Sequence, residues 1–145
     1  MGRVLRVEER AQELIVVDAS AAVEVLLNTD RTQAVERAVT RSGPAIVPAH
    51  FDAEVYGALR RGYLHRSIDR DRLLIAVDRL RRFKAERLAV VSLLPNVVGL
   101  ADVIGAHDVF YVLLAISRAC PLVTCDQRLA RSAARLGVEV IAIGL

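Results

Sequence analysis

The sequence predicts an α/β fold, a three-layer α/β/α sandwich around a mostly parallel sheet of about five strands. Two observations carry this. Short apolar runs alternate along the chain with segments of helical periodicity, as in a parallel sheet covered by helices on both faces. The first run is also continuous and β-branched, as strands buried on both faces are. The 145 residues are 54% hydrophobic with a mean hydropathy of +0.36, enough for one core and too apolar for a disordered chain.

Residues 1–13 are charged and read as an N-terminal extension, and 14–145 as a single domain. Residues 14–18, Leu14-Ile15-Val16-Val17-Asp18, form the first predicted strand. A helix follows over about 20–28, with Val23, Leu26 and Leu27 inward. Asp30 with Gln33 suggests a cap opening a second helix to about Arg41, stopped by Ser42-Gly43-Pro44. Ala45-Ile46-Val47 is a short strand closed by Pro48. A helix over about 49–65 places Phe51, Val55, Ala58, Leu59 and Gly62 at helical spacing. Another, about 69–84, turns Leu73, Leu74, Val77 and Leu80 inward. Leu88 to Ser92 reads as the third strand, 96–104 as a short helix and 107–119 as a strongly apolar one. Leu122 to Cys125 is the fourth strand, Gln127 to Leu136 a helix ended by Gly137, and Val138 to Ile143 the last strand.

No apolar run approaches the roughly 18 residues of a membrane span, and the N-terminus lacks the pattern of a signal peptide, so a soluble cytoplasmic protein is expected. Cys120 and Cys125 flank one short strand, too far apart along extended chain for a disulfide, and read as small core residues. The net charge is +3, but residues 60–87 hold ten of the twenty basic residues and four of the seventeen acids. Such a segment suits a protein that holds a polyanion, and suits equally a solvated helix pair in an arginine-rich chain.

Four acids stand in apolar company: Asp18, Glu54, Asp108 and Asp126. Asp18 ends the first strand and Asp126 follows the fourth, at the edge where open parallel sheets bind ligands. Each also suits a helix N-cap. Glu54 shares a helix face with Phe51, Val55 and Ala58, and Asp108 with Tyr111, Val112 and Ala115. A buried arginine would explain Glu54, and capping would explain Asp108. Together the four imply a shared cation, because converging carboxylates otherwise retain protons. All-oxygen donors suit Mg²⁺ or Mn²⁺, which can activate water and neutralise charge on a phosphodiester. Ser20 and Thr124 lie beside the strand-end acids and can support them, or serve only helix-start and strand chemistry.

The ordered set resembles PIN-domain proteins. It comprises Val16-Val17-Asp18-Ala19-Ser20, Glu54 in a helix after Val47-Pro48, His107-Asp108-Val109-Phe110-Tyr111, and Leu122-Val123-Thr124-Cys125-Asp126-Gln127-Arg128-Leu129-Ala130. Within that family it is similar to VapC-type toxins of bacterial toxin–antitoxin pairs, over about residues 14–143. The resemblance implies a Mg²⁺- or Mn²⁺-dependent ribonuclease. It puts the catalytic and metal-binding acids at Asp18, Glu54, Asp108 and Asp126, with supporting hydroxyls at Ser20 and Thr124. It implies RNA as substrate, a homodimer, and inhibition by a small cognate antitoxin. Two features depart from the pattern: the thirteen residues before the first strand, and His107, where this branch often has Tyr. His107 is expected to line a groove or sit near a helix cap. Three other readings carry their own expectations. One is a PIN-fold RNA-processing nuclease outside a toxin–antitoxin pair. A second is a catalytically silent binding module, which the presence of all four acids does not suggest. The third is a phosphotransfer domain, disfavoured because no lysine follows Lys84 and Ala19-Ser20 follow Asp18.

Overall fold

A computed structural model of the chain describes residues 13–144. The expected extension over 1–13 lies outside the described residues but for Glu13. Five parallel strands form one sheet: β1 (Ile15–Val17), β2 (Ala45–Pro48), β3 (Glu86–Leu88), β4 (Leu122–Thr124) and β5 (Val140–Ala142). Their spatial order is β3-β2-β1-β4-β5. The chain therefore winds outward from β1 through β2 to β3, then returns to the other side of β1 for β4 and β5. That reversal, between β1 and β4, is where such sheets open a crevice.

Six helices connect the strands: α1 (Ala19–Leu27), α2 (Thr32–Ser42), α3 (Phe51–Leu64), α4 (Arg70–Arg81), α5 (Asp108–Arg118) and α6 (Gln127–Arg135). α1 packs on α2, α3 and α4, whereas α5 lies against β1, β2 and β4, and α6 against β4 and β5. Right-handed crossovers put the α1–α4 group and the α5–α6 pair on opposite sheet faces, the expected sandwich. The central strands β1, β2 and β4 are wholly buried, with Ile15, Val16, Val17, Ile46, Val47, Leu122 and Val123 at their centre. No described helix is long and apolar enough to cross a membrane.

The departures from expectation gather at the sheet edge and on surface helices. β3 occupies 86–88, and the apolar residues expected to form it run into 3-10 turns over Val91–Asn96 and Val98–Leu100. β3 pairs only with β2, in the register Ile46↔Glu86, Val47↔Arg87, Pro48↔Leu88. An edge strand needs little apolar content, so the most hydrophobic stretch is freed to cover the core through Leu93. α2 starts at Thr32 with Arg31 before it and no side-chain cap; the expected Asp30–Gln33 box does not form. The Thr32 hydroxyl donates instead to the Glu24 carbonyl at 2.8 Å. On α4, Leu80 is buried and Leu73 half-buried, but Leu74 and Val77 are 69% and 38% exposed. Ala76 takes the inward place, because α4 packs on α3 and α1 rather than on the sheet.

Gly43 does stop α2, and its backbone requires glycine. Its φ is +103°, and a Cβ there would lie 2.0 Å from the Glu13 carbonyl oxygen. Gly137 follows α6 at φ +83°, as expected of a residue beyond a helix end. Both cysteines are free; Cys120 is buried and Cys125 half-buried.

Candidate metal centre

Asp18 and Asp126 occupy equivalent places beyond the carboxyl ends of β1 and β4, which pair directly through Val16↔Leu122 and Val17↔Val123. Both are N-caps, as their positions suggested. Asp126 Oδ1 accepts from the backbone N–H groups of Arg128 and Leu129 at 2.9 and 3.1 Å. Asp18 Oδ2 accepts from the Ser20 N–H at 3.3 Å, from the Ser20 hydroxyl, and from the Thr124 hydroxyl at 2.9 Å. Asp18 is only 3% exposed. All these bonds fall on one oxygen, and the other has no protein donor among the described residues.

Ser20 and Thr124 also join the two strand ends. Their hydroxyls are 3.2 Å apart. Ser20 Oγ accepts from the Cys125 N–H and Thr124 Oγ1 from the Asp126 N–H, both at 3.0 Å. The two hydroxyls thus fix the Asp18 carboxylate and the turn that carries Asp126.

Glu54 and Asp108 approach from the first turns of α3 and α5. Both lie at the rim of their apolar stripes, half-buried, rather than inside them. Phe51, Val55 and Leu59 bury the adjoining face of α3, and Tyr111, Val112 and Ala115 that of α5. The buried stripe anchors each helix while its edge turns the acid toward the crevice. Carboxylate oxygens of Asp18, Glu54 and Asp108 lie within 4.8 Å of one another. Asp126 falls outside this tight set, although its charge reaches both Asp18 and Asp108.

The electrostatics of the trio are those of uncompensated like charges. Burial raises the Asp18 carboxyl above its ordinary value against the pull of Ser20 and Thr124. Burial first, then the charges of Asp18 and Asp108, push Glu54 up to about 7. Asp108 is raised by burial and by Asp18 and Asp126, with His107 and Arg128 opposing. No buried arginine pairs with Glu54 among the described residues. Its nearest partner is His50, whose Nε2 lies 3.5 Å from Glu54 Oε2, and whose imidazole burial keeps below its usual value.

A divalent cation fits this donor set. Three carboxylates supply hard oxygens and negative charge in excess, with no thiolate at the centre, which favours Mg²⁺ or Mn²⁺ over softer ions. Beside it, a cleft of about 230 Å³ is lined by Asp108, Asp126, Arg128 and Ser132 together with Ile104 and Gly105. Arg128 is the one cation on that lining.

His50 and Tyr111 are the residues that sequence reasoning missed here. The ring of His50 stands edge-on to Tyr111 at 5.7 Å and lies 5.8 Å from the ring of His107. Their spacing was the available signal: His50 precedes Glu54 by one helical turn and Tyr111 follows Asp108 by one. His107 is exposed and directly precedes α5 without a side-chain cap bond, the capping-region place expected of it.

The chain matches the PIN domain model over residues 15–135. It is 37% identical to Ribonuclease VapC12 of Mycobacterium tuberculosis over 119 residues, covering 82% of this chain and 92% of that protein. It is 38% identical to Ribonuclease VapC3 of the same species, covering 83% and 88%. Among solved structures it resembles VapBC2 from Rickettsia felis bound to a promoter DNA fragment, with a TM-score of 0.64, 11% identity, and 90% and 99% coverage of the two chains. PAE2754 from Pyrobaculum aerophilum has the same fold, with a TM-score of 0.63, 18% identity, and 94% and 89% coverage.

Proposed function

The chain belongs to the PIN-domain family, in its VapC group, and from that membership we propose a divalent-metal-dependent endoribonuclease that acts as the toxin of a type II toxin–antitoxin pair. The observation that carries the reading is the convergence of Asp18, Glu54 and Asp108 at the sheet's switch point. In this reading the three acids hold Mg²⁺ or Mn²⁺, and Asp126 adds charge from the next turn. When bound, the ion neutralises charge on a phosphodiester and activates water for its hydrolysis.

The chain's own residues prepare that chemistry. Ser20 and Thr124 hold Asp18 by one oxygen and leave the other without a protein donor among the described residues. The buried stripes of α3 and α5 fix where Glu54 and Asp108 emerge. Arg128 lies at the cleft beside Asp108, where it holds a phosphate of the RNA strand. The working protein is a cytoplasmic homodimer restrained by a small cognate antitoxin, with one catalytic domain over 14–145 in each protomer. The names of the ribonuclease relatives support the RNA substrate, and that of the Rickettsia felis VapBC2 neighbour supports the antitoxin.

The test is RNA cleavage with and without Mg²⁺ by the wild type and Asp18→Asn, with circular dichroism to check folding. Asp18→Asn is expected to fold and to lose Mg²⁺-dependent cleavage. Cleavage at the wild-type rate by that variant overturns the mechanism, and failure of the wild type to bind Mn²⁺ in calorimetry favours a silent binding module.

A further inference from the structure

Three buried side-chain polar atoms lack a hydrogen-bond partner among the described residues: His50 Nε2, Glu54 Oε2 and the Tyr111 hydroxyl. They belong to one place. His50 Nε2 faces Glu54 Oε2 at 3.5 Å, and the His50 ring stands against Tyr111. Tyr111 is 0% exposed, and its phenol feels the charges of Glu54, Asp18 and Asp108, in that order after burial itself. Those charges lie within its reach, as does the Ala19 backbone N–H, which can donate to the phenol oxygen but cannot accept its proton.

A buried hydroxyl whose proton has no acceptor destabilises a fold. Phenylalanine at 111 would fill the same space without that cost. The hydroxyl therefore answers a demand that packing does not make. Glu54 supplies the demand. Its carboxylate sits on a longer side chain than those of Asp18 and Asp108, and none of the hydrogen bonds that restrain Asp18 has a counterpart at Glu54 among the described residues. A ligand carboxylate left to rotate would bind a cation weakly, and outer hydrogen bonds are the usual means of fixing it.

We propose that Tyr111, assisted by His50, is a positioning residue for Glu54. With the cation in place, the Tyr111 O–H would donate to Glu54 Oε2, His50 Nε2 would close on the same oxygen, and Oε1 would be presented to the cation between Asp18 and Asp108. This rests on the cation-site reading given above. It divides the trio by its supports: Ser20 and Thr124 fix Asp18 from the strand ends, and Tyr111 with His50 fixes Glu54 from the helices.

The experiment is Mn²⁺ calorimetry on the full chain, with thermal melts of the metal-free protein and steady-state RNA cleavage. Tyr111→Phe removes one oxygen. It is expected to weaken Mn²⁺ binding about tenfold or more and to lower kcat with KM for RNA unchanged. The metal-free Tm should stay level or rise, a combination that a purely structural hydroxyl would not produce. Folded Tyr111→Phe with Mn²⁺ affinity within twofold of wild type overturns the proposal. His50→Gln and His50→Leu give an independent arm: Gln should retain more affinity than Leu, and equal affinities overturn the part given to His50. Asp18→Asn separates the two readings. If Asp18→Asn loses Mn²⁺ while Tyr111→Phe keeps it, only the positioning role fails. If the wild type binds no Mn²⁺, the cation site fails and the positioning role with it.

Discussion

The acid-bearing crevice and the arginine-rich α3–α4 hairpin are both strongly charged, and the fold treats them in opposite ways. In the hairpin and the strand β3 that follows it, several cations have structural partners. Arg72 and Arg79 donate to the Leu27 and Leu26 carbonyls at 2.9 and 3.0 Å, closing the last turn of α1. Arg87 spans Asp52 at 2.9 and 3.1 Å and also donates to the Phe83 and Ala85 carbonyls. Arg81 and Arg82 share Asp78. In the crevice, like charges face one another, half-buried or buried, and no cation of the described chain is bonded to them. Matched charge holds a structure together. Unmatched charge, maintained against its own repulsion, marks a place prepared for something else. Five of the ten basic residues in 60–87 thus have structural partners, whereas the acids of the crevice have no cationic one among the described residues.

The largest effect expected from breaking this contrast is at Asp126, which belongs to both kinds. It caps α6 like a structural residue and adds charge to Asp18 and Asp108 like a site residue. Asn caps as well as Asp, so Asp126→Asn keeps the cap and removes only the charge. RNA cleavage should fall about 100-fold in that variant, a loss typical of outer groups at metal sites, with the melting temperature unchanged. Asp126→Ala should lose the same activity and, in addition, about 1 kcal/mol of stability. Full activity in Asp126→Asn would move Asp126 to the structural side and leave a site of three acids.

Glu54 gives the next largest effect, on stability. Its folded value is about 7, against an ordinary 4.5. Between those values the folded protein binds more protons than the unfolded chain. Metal-free stability should therefore fall as pH rises from about 4.5 to about 7 and level off above. The raised carboxyls of Asp18 and Asp108 act in the same direction. Because Glu54 is partly open to solvent, the loss is about 1–2 kcal/mol, or several degrees in Tm. Thermal melts from pH 5 to pH 8 should show the decline, Glu54→Gln should flatten it, and Mn²⁺ at pH 8 should reverse it. A metal-free Tm that rises over this interval would mean that these carboxylates are paired, as those of the hairpin are.

Legibility in the sequence followed the same division. The buried centre was readable because the runs at Leu14 to Val17 and Leu122 to Thr124 are short, β-branched and bounded by turn residues, which favours interior strands over buried helix. The four acids were readable because carboxylates among such runs conflict with burial. β3 was misread because an edge strand is not required to be apolar, and the true apolar stretch beside it folds into 3-10 turns. Leu74 and Val77 were misread because helical spacing gives a face but not what covers it. His50 and Tyr111 escaped because a histidine before a helix and a tyrosine on an apolar stripe have ordinary explanations. Only the three unpartnered atoms, brought together by the fold, remove those explanations.

The smallest effects lie within the hairpin, where Arg79 and Arg81 can be set against each other. Arg79 reaches across to another helix through a partly buried bond, and a guanidinium on the final carbonyls of α1 also meets the negative end of its dipole. Arg81 pairs with Asp78 on its own helix, both well exposed. Arg79→Ala should cost about 1 kcal/mol in urea unfolding, and Arg81→Ala less than about 0.5 kcal/mol. Neither should alter RNA cleavage if hairpin charge is structural. A loss of cleavage in Arg81→Ala that is largest at low salt and narrows as salt is raised would return the exposed arginines to the RNA, because a protein with one phosphate contact fewer has a shallower salt dependence. The crevice would then be one half of a binding surface whose other half is the basic helix pair.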